Sequence, residues 1–255
     1  MSEILDKHTD IILVGDSLGS VLYSLNTTKK VTLNMMINHS KSVRQGVKES
    51  LMVVDMPYNT YNNKTEALKN AKKIIKFSKA DAVKLEGGKK ISKIIEHLKK
   101  NKINVMGHLG ILPQSQVGKF RYKGKTDTER RKLLDDAHLL QKSGVFSIVL
   151  ECIETRLAKK ITSELKIPTI GIGSSVNCDG QVLVTDDLVG LNLTPIKFVK
   201  SFYNIRKHFD FAIKKFKQEV KNKKYPSKKF SYWKYYLIFL FCNFPSPIST
   251  STNEP

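Results

Sequence analysis

Five acidic or imidazole groups stand at the ends of short apolar runs: Asp16 after IILVG, Asp55 in LMVVD, Glu86 in AVKLE, His108 in INVMGH and Glu151 in FSIVLE. Two carboxylates such as Asp16 and Asp55 can share a divalent cation, since Mg²⁺ typically takes one or two carboxylates, keeps several waters and binds substrate oxygens directly. Such an ion grips a 2-oxo acid by its carboxylate and keto oxygens, polarises the carbonyl and stabilises an enolate when a neighbouring C–H breaks. Glu151 is the candidate base for that proton. Lys84 and Glu86, in KLEGG (84–88), lie two apart on a strand and so point to the same side. An inward Lys84 needs Glu86, a metal-bound carboxylate or an anionic substrate beside it. Gly87 and Gly88 let backbone amides approach an anion closely, and His108 is a candidate hydrogen-bonding partner for substrate. One acid after a strand often only caps the next helix; five functional groups at successive ends point to a site.

GDSLG (15–19) admits a second chemistry. It satisfies the G-x-S-x-G of a nucleophile elbow and opens like the GDSL esterases, which would make Ser17 the nucleophile. That role needs a histidine and an orienting acid. The last histidine, His208, has Ile205 three places before it, and Asp135 and His138 fall within an expected surface helix. The hydrolase is the weaker reading, with Asp16 the active group and Ser17 its neighbour.

The positioning elements follow from the runs themselves. IILVGD (11–16), LMVVD (51–55), AVKLE (82–86), INVMGH (103–108), FSIVLE (146–151), IPTIGIG (167–173) and QVLVTDD (181–187) are short, rich in Val and Ile and nearly continuously apolar. Parallel strands buried on both faces read this way. Between them, residues 64–80, 89–101, 128–144 and 154–166 have the spacing of amphipathic, Lys-rich helices, the third closing on Gly144 as a C-cap. Alternating strands and helices with polar groups at strand ends predict a (β/α)8 TIM barrel, whose catalytic groups gather at the C-terminal face; an open doubly wound sheet is the alternative. Seven runs are one short of eight. Either the first strand is absent or the natural start lies upstream of Met1. Residues 194–224 read as helix, with Phe198, Phe202, Phe209 and Phe216 near helical spacing. The expected domains are a barrel over 1–232 and an extension over 233–255, which contains most of the apolar stretch 232–244 and has no assigned function.

With 255 residues and 40% hydrophobic content the chain can bury a substantial core. The net charge of +21 suggests a polyanion partner, but only six of the 44 basic residues are Arg. Arg is the residue that grips phosphate bidentately, so Lys-rich solvated faces are expected and nucleic acid is not. No apolar run reaches the roughly 18 residues of a membrane span, and MSEILDKHTD lacks a signal-peptide core. Cys152, Cys178 and Cys242 are too few and scattered for a disulfide framework. The cytoplasm is the expected compartment.

Eight motifs carry a family resemblance: VGDSLG (14–19), VVDMPY (53–58), VKLEGG (83–88), GHLGILPQS (107–115), RYKGKT (121–126), VLEC (149–152), PTIGIG (168–173) and DGQVLV (179–184). In order and spacing the chain resembles the ketopantoate hydroxymethyltransferases from about residue 5 to Tyr232. The resemblance implies a Mg²⁺-dependent (β/α)8 barrel of pantothenate and coenzyme A biosynthesis, assembled as a decameric homo-oligomer. It implies transfer of a hydroxymethyl group from 5,10-methylenetetrahydrofolate to 2-oxoisovalerate (3-methyl-2-oxobutanoate) through a Mg²⁺-stabilised enolate. By motif, Asp16 and Asp55 resemble the metal ligands, with Glu86 near the ion through water. Ser17 and Lys84 would hold the substrate, for which the metal ligands Asp16 and Asp55 also count as contacts. His108 would line the pocket, and Glu151 resembles the base for the C3 proton. Three departures stand out: the family's first strand, ending in a T-A-Y-D-like motif, is not seen; Gly-Ala-Gly reads Gly173-Ser174-Ser175; and the tail beyond Tyr232 has no counterpart. The alternative class is a catalytically degenerate barrel serving as an assembly or binding subunit.

Overall fold

Val, Ile and Leu pack well on both faces of a pleated parallel sheet, and here they build one. The computed structural model describes residues 1–115, 121–192 and 196–232 and divides into two units, Met1–Asn204 and Ile205–Pro255. The first unit runs α1 (Ser2–Asp6), β1 (Ile11–Val14), α2 (Leu18–Tyr23), α3 (Leu33–Arg44), β2 (Leu51–Asp55), α4 (Lys64–Ser78), β3 (Ala82–Glu86) and α5 (Ser92–Lys100). It continues with β4 (Val105–Gly110), α6 (Asp127–Ser143), β5 (Ser147–Glu151), α7 (Thr155–Glu164), β6 (Thr169–Ile172), β7 (Gly180–Gln181) and α8 (Thr185–Leu188). The second unit contains α9 (Ile205–Lys221), beyond which Tyr225 meets Phe216 edge to face, ring centroids 5.4 Å apart.

All strand pairs are parallel and their order in the sheet is their order in the chain, β1 to β7. This is the curled sheet of a β/α barrel with seven strands, β1 and β7 being its edges among the described residues. Alternation sorts the side chains. Met52, Val54, Val83, Leu85, Val105, Leu109, Ile148 and Leu150 join the larger core with helix residues such as Ala67, Ile74, Ile95, Leu98 and Leu140. Val53, Ala82, Met106 and Val149 form a separate cluster on the other face. Two residues further along the same strands stand Asp55, Lys84, His108 and Glu151. The charged groups therefore rest on an apolar layer, as side chains stack in layers inside a barrel.

Local signals start and stop the helices. Asn63 and Thr126 accept the N–H of Glu66 and Glu129, and each of those carboxylates reaches back to backbone N–H groups before its helix. Gly144 ends α6 at φ 97°, as expected of a glycine C-cap.

Two expected elements are shorter than the sequence suggests. The run 181–187 forms a strand only at Gly180–Gln181, after which Val182 adds one ladder bond to the Gly171 carbonyl. Thr185 then begins a helix whose first turn holds Asp186 and Asp187, residues that a helix N-terminus favours. Among the described residues of 194–224, only Ile205–Lys221 is α-helical. Before it, Phe202 N–H donates to the Leu188 carbonyl and Ser201 Oγ to that of Asp187, bonds that fold this segment back onto α8. Phe198 and Phe202 thus precede the helix that carries Phe209 and Phe216. The expected extension, 233–255, lies outside the described residues. Among the described residues no helix is long and apolar enough to cross a membrane.

The first turn of structure is fastened by one carboxylate. Asp6 accepts the N–H groups of Lys48 (2.8 Å), Glu49 (3.2 Å) and Ser50 (2.8 Å), just before β2. The Ser50 hydrogen bond, against a raising effect of burial and with help from Lys48 and Glu49, lowers its pKa to about 2. An ordinary Asp in the unfolded chain titrates at about 3.9, so the stabilisation is complete above that value and is lost as pH falls through about 2. Asp6→Ala is expected to lower the urea midpoint at pH 7. The gap between variant and parent should close as the pH is taken from 4 towards 2; a gap that stays constant would show that the carboxylate charge is not what matters.

Candidate functional site

Register brings charges side by side: Asp55 lies opposite Lys84 across β2 and β3, and Glu86 opposite His108 across β3 and β4. Lys84 Nζ is 2.7 Å from Asp55 Oδ1 and 3.5 Å from His108 Nδ1. Asp55 Oδ2 accepts the Asp16 N–H at 3.0 Å, tying the turn after β1 to the end of β2. His108 stands between two carboxylates, with Nδ1 3.5 Å from Glu86 Oε1 and Nε2 3.2 Å from Glu151 Oε2. Asp16, Asp55, Lys84, Glu86 and His108 are buried; the Glu151 side chain is 17% exposed. All six line a cavity of about 690 Å³, with Ser17 at its wall and Leu13, Val149, Ile172 and Phe198 as apolar surface. Six of the expected site residues, and the seventh, Ser17, therefore meet in one place.

Burial and neighbours set the charges. Burial, reinforced by the Asp55 carboxylate, raises Asp16 to about 7, while Lys84 and a hydrogen bond from Gln114 pull it down. Burial alone would discharge Lys84, but Asp55, Glu86 and Asp16 outweigh it and hold the ammonium well above its ordinary value. For His108, burial and Lys84 oppose protonation, yet hydrogen bonds to Glu151 and Glu86 raise it to about 9. Glu86 resists its own burial and is lowered, chiefly by His108. The imidazole is thus charged at neutral pH, and the carboxylates on either side share it.

Sequence reasoning missed the residue that joins the two halves. Gln114, 2% exposed, donates its backbone N–H to Glu86 Oε2 (3.0 Å) and its Nε2 to Asp16 Oδ2 (2.8 Å) and the Met56 carbonyl (2.9 Å). Tyr61 donates its hydroxyl to Gln114 Oε1. The available signal was weak: an amide after the apolar ILP of GHLGILPQS, and a tyrosine in a polar loop. The Gly87-Gly88 pair also works differently from expectation. A Cβ on Gly88 would collide with the Asp136 carboxyl, which accepts the Lys89 N–H at 2.8 Å. The anion this turn admits is the protein's own.

Ser17 is half-buried and has no histidine hydrogen-bonded to it among the described residues, so the esterase arrangement is not formed. The donor set does suit a divalent cation. Four acids against Lys84 and His108 leave the cluster with excess negative charge, two of the carboxylates adjoin, and the repulsion that raises Asp16 is what a cation relieves. No three-residue His/Cys/Asp/Glu cage exists among the described residues. Mg²⁺ does not require one, because waters and substrate oxygens complete its shell.

The family model for ketopantoate hydroxymethyltransferase matches residues 1–228. A relative named 3-methyl-2-oxobutanoate hydroxymethyltransferase from Pelagibacter ubique (strain HTCC1062) is 63% identical over 232 residues, covering 91% of this chain and 90% of its own. A relative of the same name from Rhizobium etli is 45% identical, covering 89% and 85%. Among solved structures, 2,3-dimethylmalate lyase, a PEP mutase/isocitrate lyase superfamily member, aligns with TM-score 0.53 at 10% identity over 90% of this chain and 80% of that one. Phosphonopyruvate hydrolase in complex with oxalate and Mg²⁺ aligns with TM-score 0.54 at 9% identity, covering 87% and 79%. These two likenesses concern the fold.

Gln114→Leu would strip a donor from Asp16 and an acceptor from Tyr61. The expected loss is roughly 1–3 kcal/mol for each buried group left unpaired, read from urea unfolding. The Asp16 carboxyl should also titrate above its parent value in a carboxyl-detected NMR titration, because Gln114 is one of the groups holding it down. An unchanged titration would detach Gln114 from Asp16.

Proposed function

The chain belongs to the ketopantoate hydroxymethyltransferase family, and from that membership we propose how its buried cluster performs the transfer. The reaction places a hydroxymethyl group on 3-methyl-2-oxobutanoate and yields ketopantoate, a step of pantothenate biosynthesis. A degenerate barrel without activity is not favoured by these relatives. One observation carries the assignment of roles: groups from five successive strand ends, β1 to β5, converge on one cavity.

Glu151 takes the proton from C3 of the oxo acid. Its partly exposed carboxyl faces the cavity, and the charged His108, 3.2 Å away, fixes where its oxygens lie. Lys84 and Ser17 hold the substrate's anionic end, and the apolar wall around Leu13, Val149 and Ile172 takes its two methyl groups. Asp16 and Asp55 would hold Mg²⁺, with Glu86 behind them through water. When bound, the ion would grip the carboxylate and keto oxygens and stabilise the negative charge that develops as the C–H bond breaks. Water hydrolyses the two C–N bonds of the methylene bridge of 5,10-methylenetetrahydrofolate, releasing tetrahydrofolate and formaldehyde. With the C3 proton on Glu151, C3 attacks the formaldehyde carbon, and the oxygen that came from water is protonated to the hydroxyl. A decameric homo-oligomer in the cytoplasm is the setting that family membership supports.

Exchange of the C3 hydrogen of 3-methyl-2-oxobutanoate for deuterium, without folate, isolates the proton step. Glu151→Gln is expected to slow it by about 10²–10⁴-fold; parent-rate exchange would remove Glu151 from the role. Asp16→Asn and Asp55→Asn should each weaken Mg²⁺ binding in isothermal titration calorimetry. Undiminished Mg²⁺ affinity in both would place the ion elsewhere.

A further inference from the structure

Strand β5 does not simply stop at Glu151. The next residue, Cys152, has φ 50°, in the left-handed region that costs a non-glycine residue roughly 1–2 kcal/mol. The chain therefore kinks immediately after the carboxyl that faces the cavity, and the direction of Glu151 depends on what holds the kink. Several backbone bonds contribute: Ile111 N–H to the Glu151 carbonyl (2.9 Å), Cys152 N–H to Ile172 (2.8 Å) and Lys123 N–H to Cys152 (2.8 Å). One side chain spans the kink. Ser174 Oγ donates to the Leu150 carbonyl at 2.6 Å and accepts the Ile153 N–H at 3.0 Å, meeting the chain on both sides of Glu151 and Cys152. Ser174 is itself fixed, since Thr155 Oγ1 donates to its carbonyl at 3.2 Å. It follows Gly173, whose φ of 60° and contact with the Phe198 ring leave no room for a side chain.

We propose that Ser174 is a positioning residue for proton abstraction: its hydroxyl bridges the kink after β5 and so aims the Glu151 carboxyl at His108 and the cavity. The inference rests on the reading of Glu151 as the base. A methyl group fits the same space but neither donates nor accepts. Because Ser174 acts through the backbone, its removal should misplace the base without altering the groups that hold substrate. Small displacements of a reacting group are costly in rate even when binding is intact.

The test uses the full chain and deuterium exchange at C3 of 3-methyl-2-oxobutanoate with Mg²⁺. Ser174→Ala is expected to lower kcat for exchange about tenfold while KM moves less than about twofold, and Ser174→Thr, which keeps the hydroxyl, should return kcat to within about twofold of the parent. In a Glu151→Gln background, Ser174→Ala should lower the residual rate no further. The drop in urea midpoint caused by Ser174→Ala should be the same in both backgrounds. Should Ser174→Ala not fold, Ser174→Cys takes its place, the thiol being a weak donor and acceptor. Parent-rate exchange in Ser174→Ala beside a slow Glu151→Gln overturns the inference alone. So does an equal rate loss in both backgrounds, which marks an ordinary structural bond. Parent-rate exchange in Glu151→Gln instead overturns the base assignment, and this inference with it.

Discussion

A buried ammonium group governs this molecule. Lys84 sits on the inner face of a parallel sheet, 2.7 Å from Asp55. Taking such a charge from water costs several kcal/mol even after relaxation, and only close, well-placed counter-charges return it. Asp55 answers it from the adjacent strand, Glu86 from two residues along and Asp16 from the turn beyond β1. Each carboxylate then needs its own partner, which brings in His108, Gln114 and, through His108, Glu151. The cluster is one connected solution to one desolvation problem, so its members cannot be exchanged independently.

That solution places two opposite fields in one protein. The chain as a whole carries +21, spread over Lys-rich outer helices, while the cavity floor holds more acids than bases. An anionic oxo acid is attracted at long range by the outside but meets carboxylates inside. The Mg²⁺ proposed for Asp16 and Asp55 would reconcile the two. The apolar layer of Val53, Ala82, Met106 and Val149 under the charges keeps water from the other side of the cluster and strengthens every interaction above it.

Much of this was legible in the sequence, for a physical reason. Side chains alternate along strands, and parallel barrels place function at strand ends, so Asp16, Asp55, Lys84, Glu86, His108 and Glu151 announce themselves by position. Gln114 and Tyr61 did not, because their roles depend on how two loops fold over the strand ends. The KLEGG glycines suggested an external anion, whereas space for Asp136 is what Gly88 provides. The shortness of β7 and the late start of α9 turn on hydrogen bonds between segments distant in sequence, to which periodicity is blind. Ser174 was visible as an unexpected hydroxyl, but its two bonds across the β5 kink exist only in three dimensions.

Strand order that equals chain order also bears on how the protein is made. Each strand pairs with the one synthesised just before it, so the sheet can grow by accretion as the chain emerges N-terminal end first. Asp16 and Asp55 lie ahead of Lys84, and Glu86 follows it by two residues. The nascent chain therefore never has to store an uncompensated lysine while waiting for distant sequence. His108 likewise finds Glu86 already laid down beside it. The late arrival is Glu151, the one carboxyl of the cluster left partly open to the cavity. The order of synthesis thus separates the charges that let the sheet form from the one proposed to act on substrate.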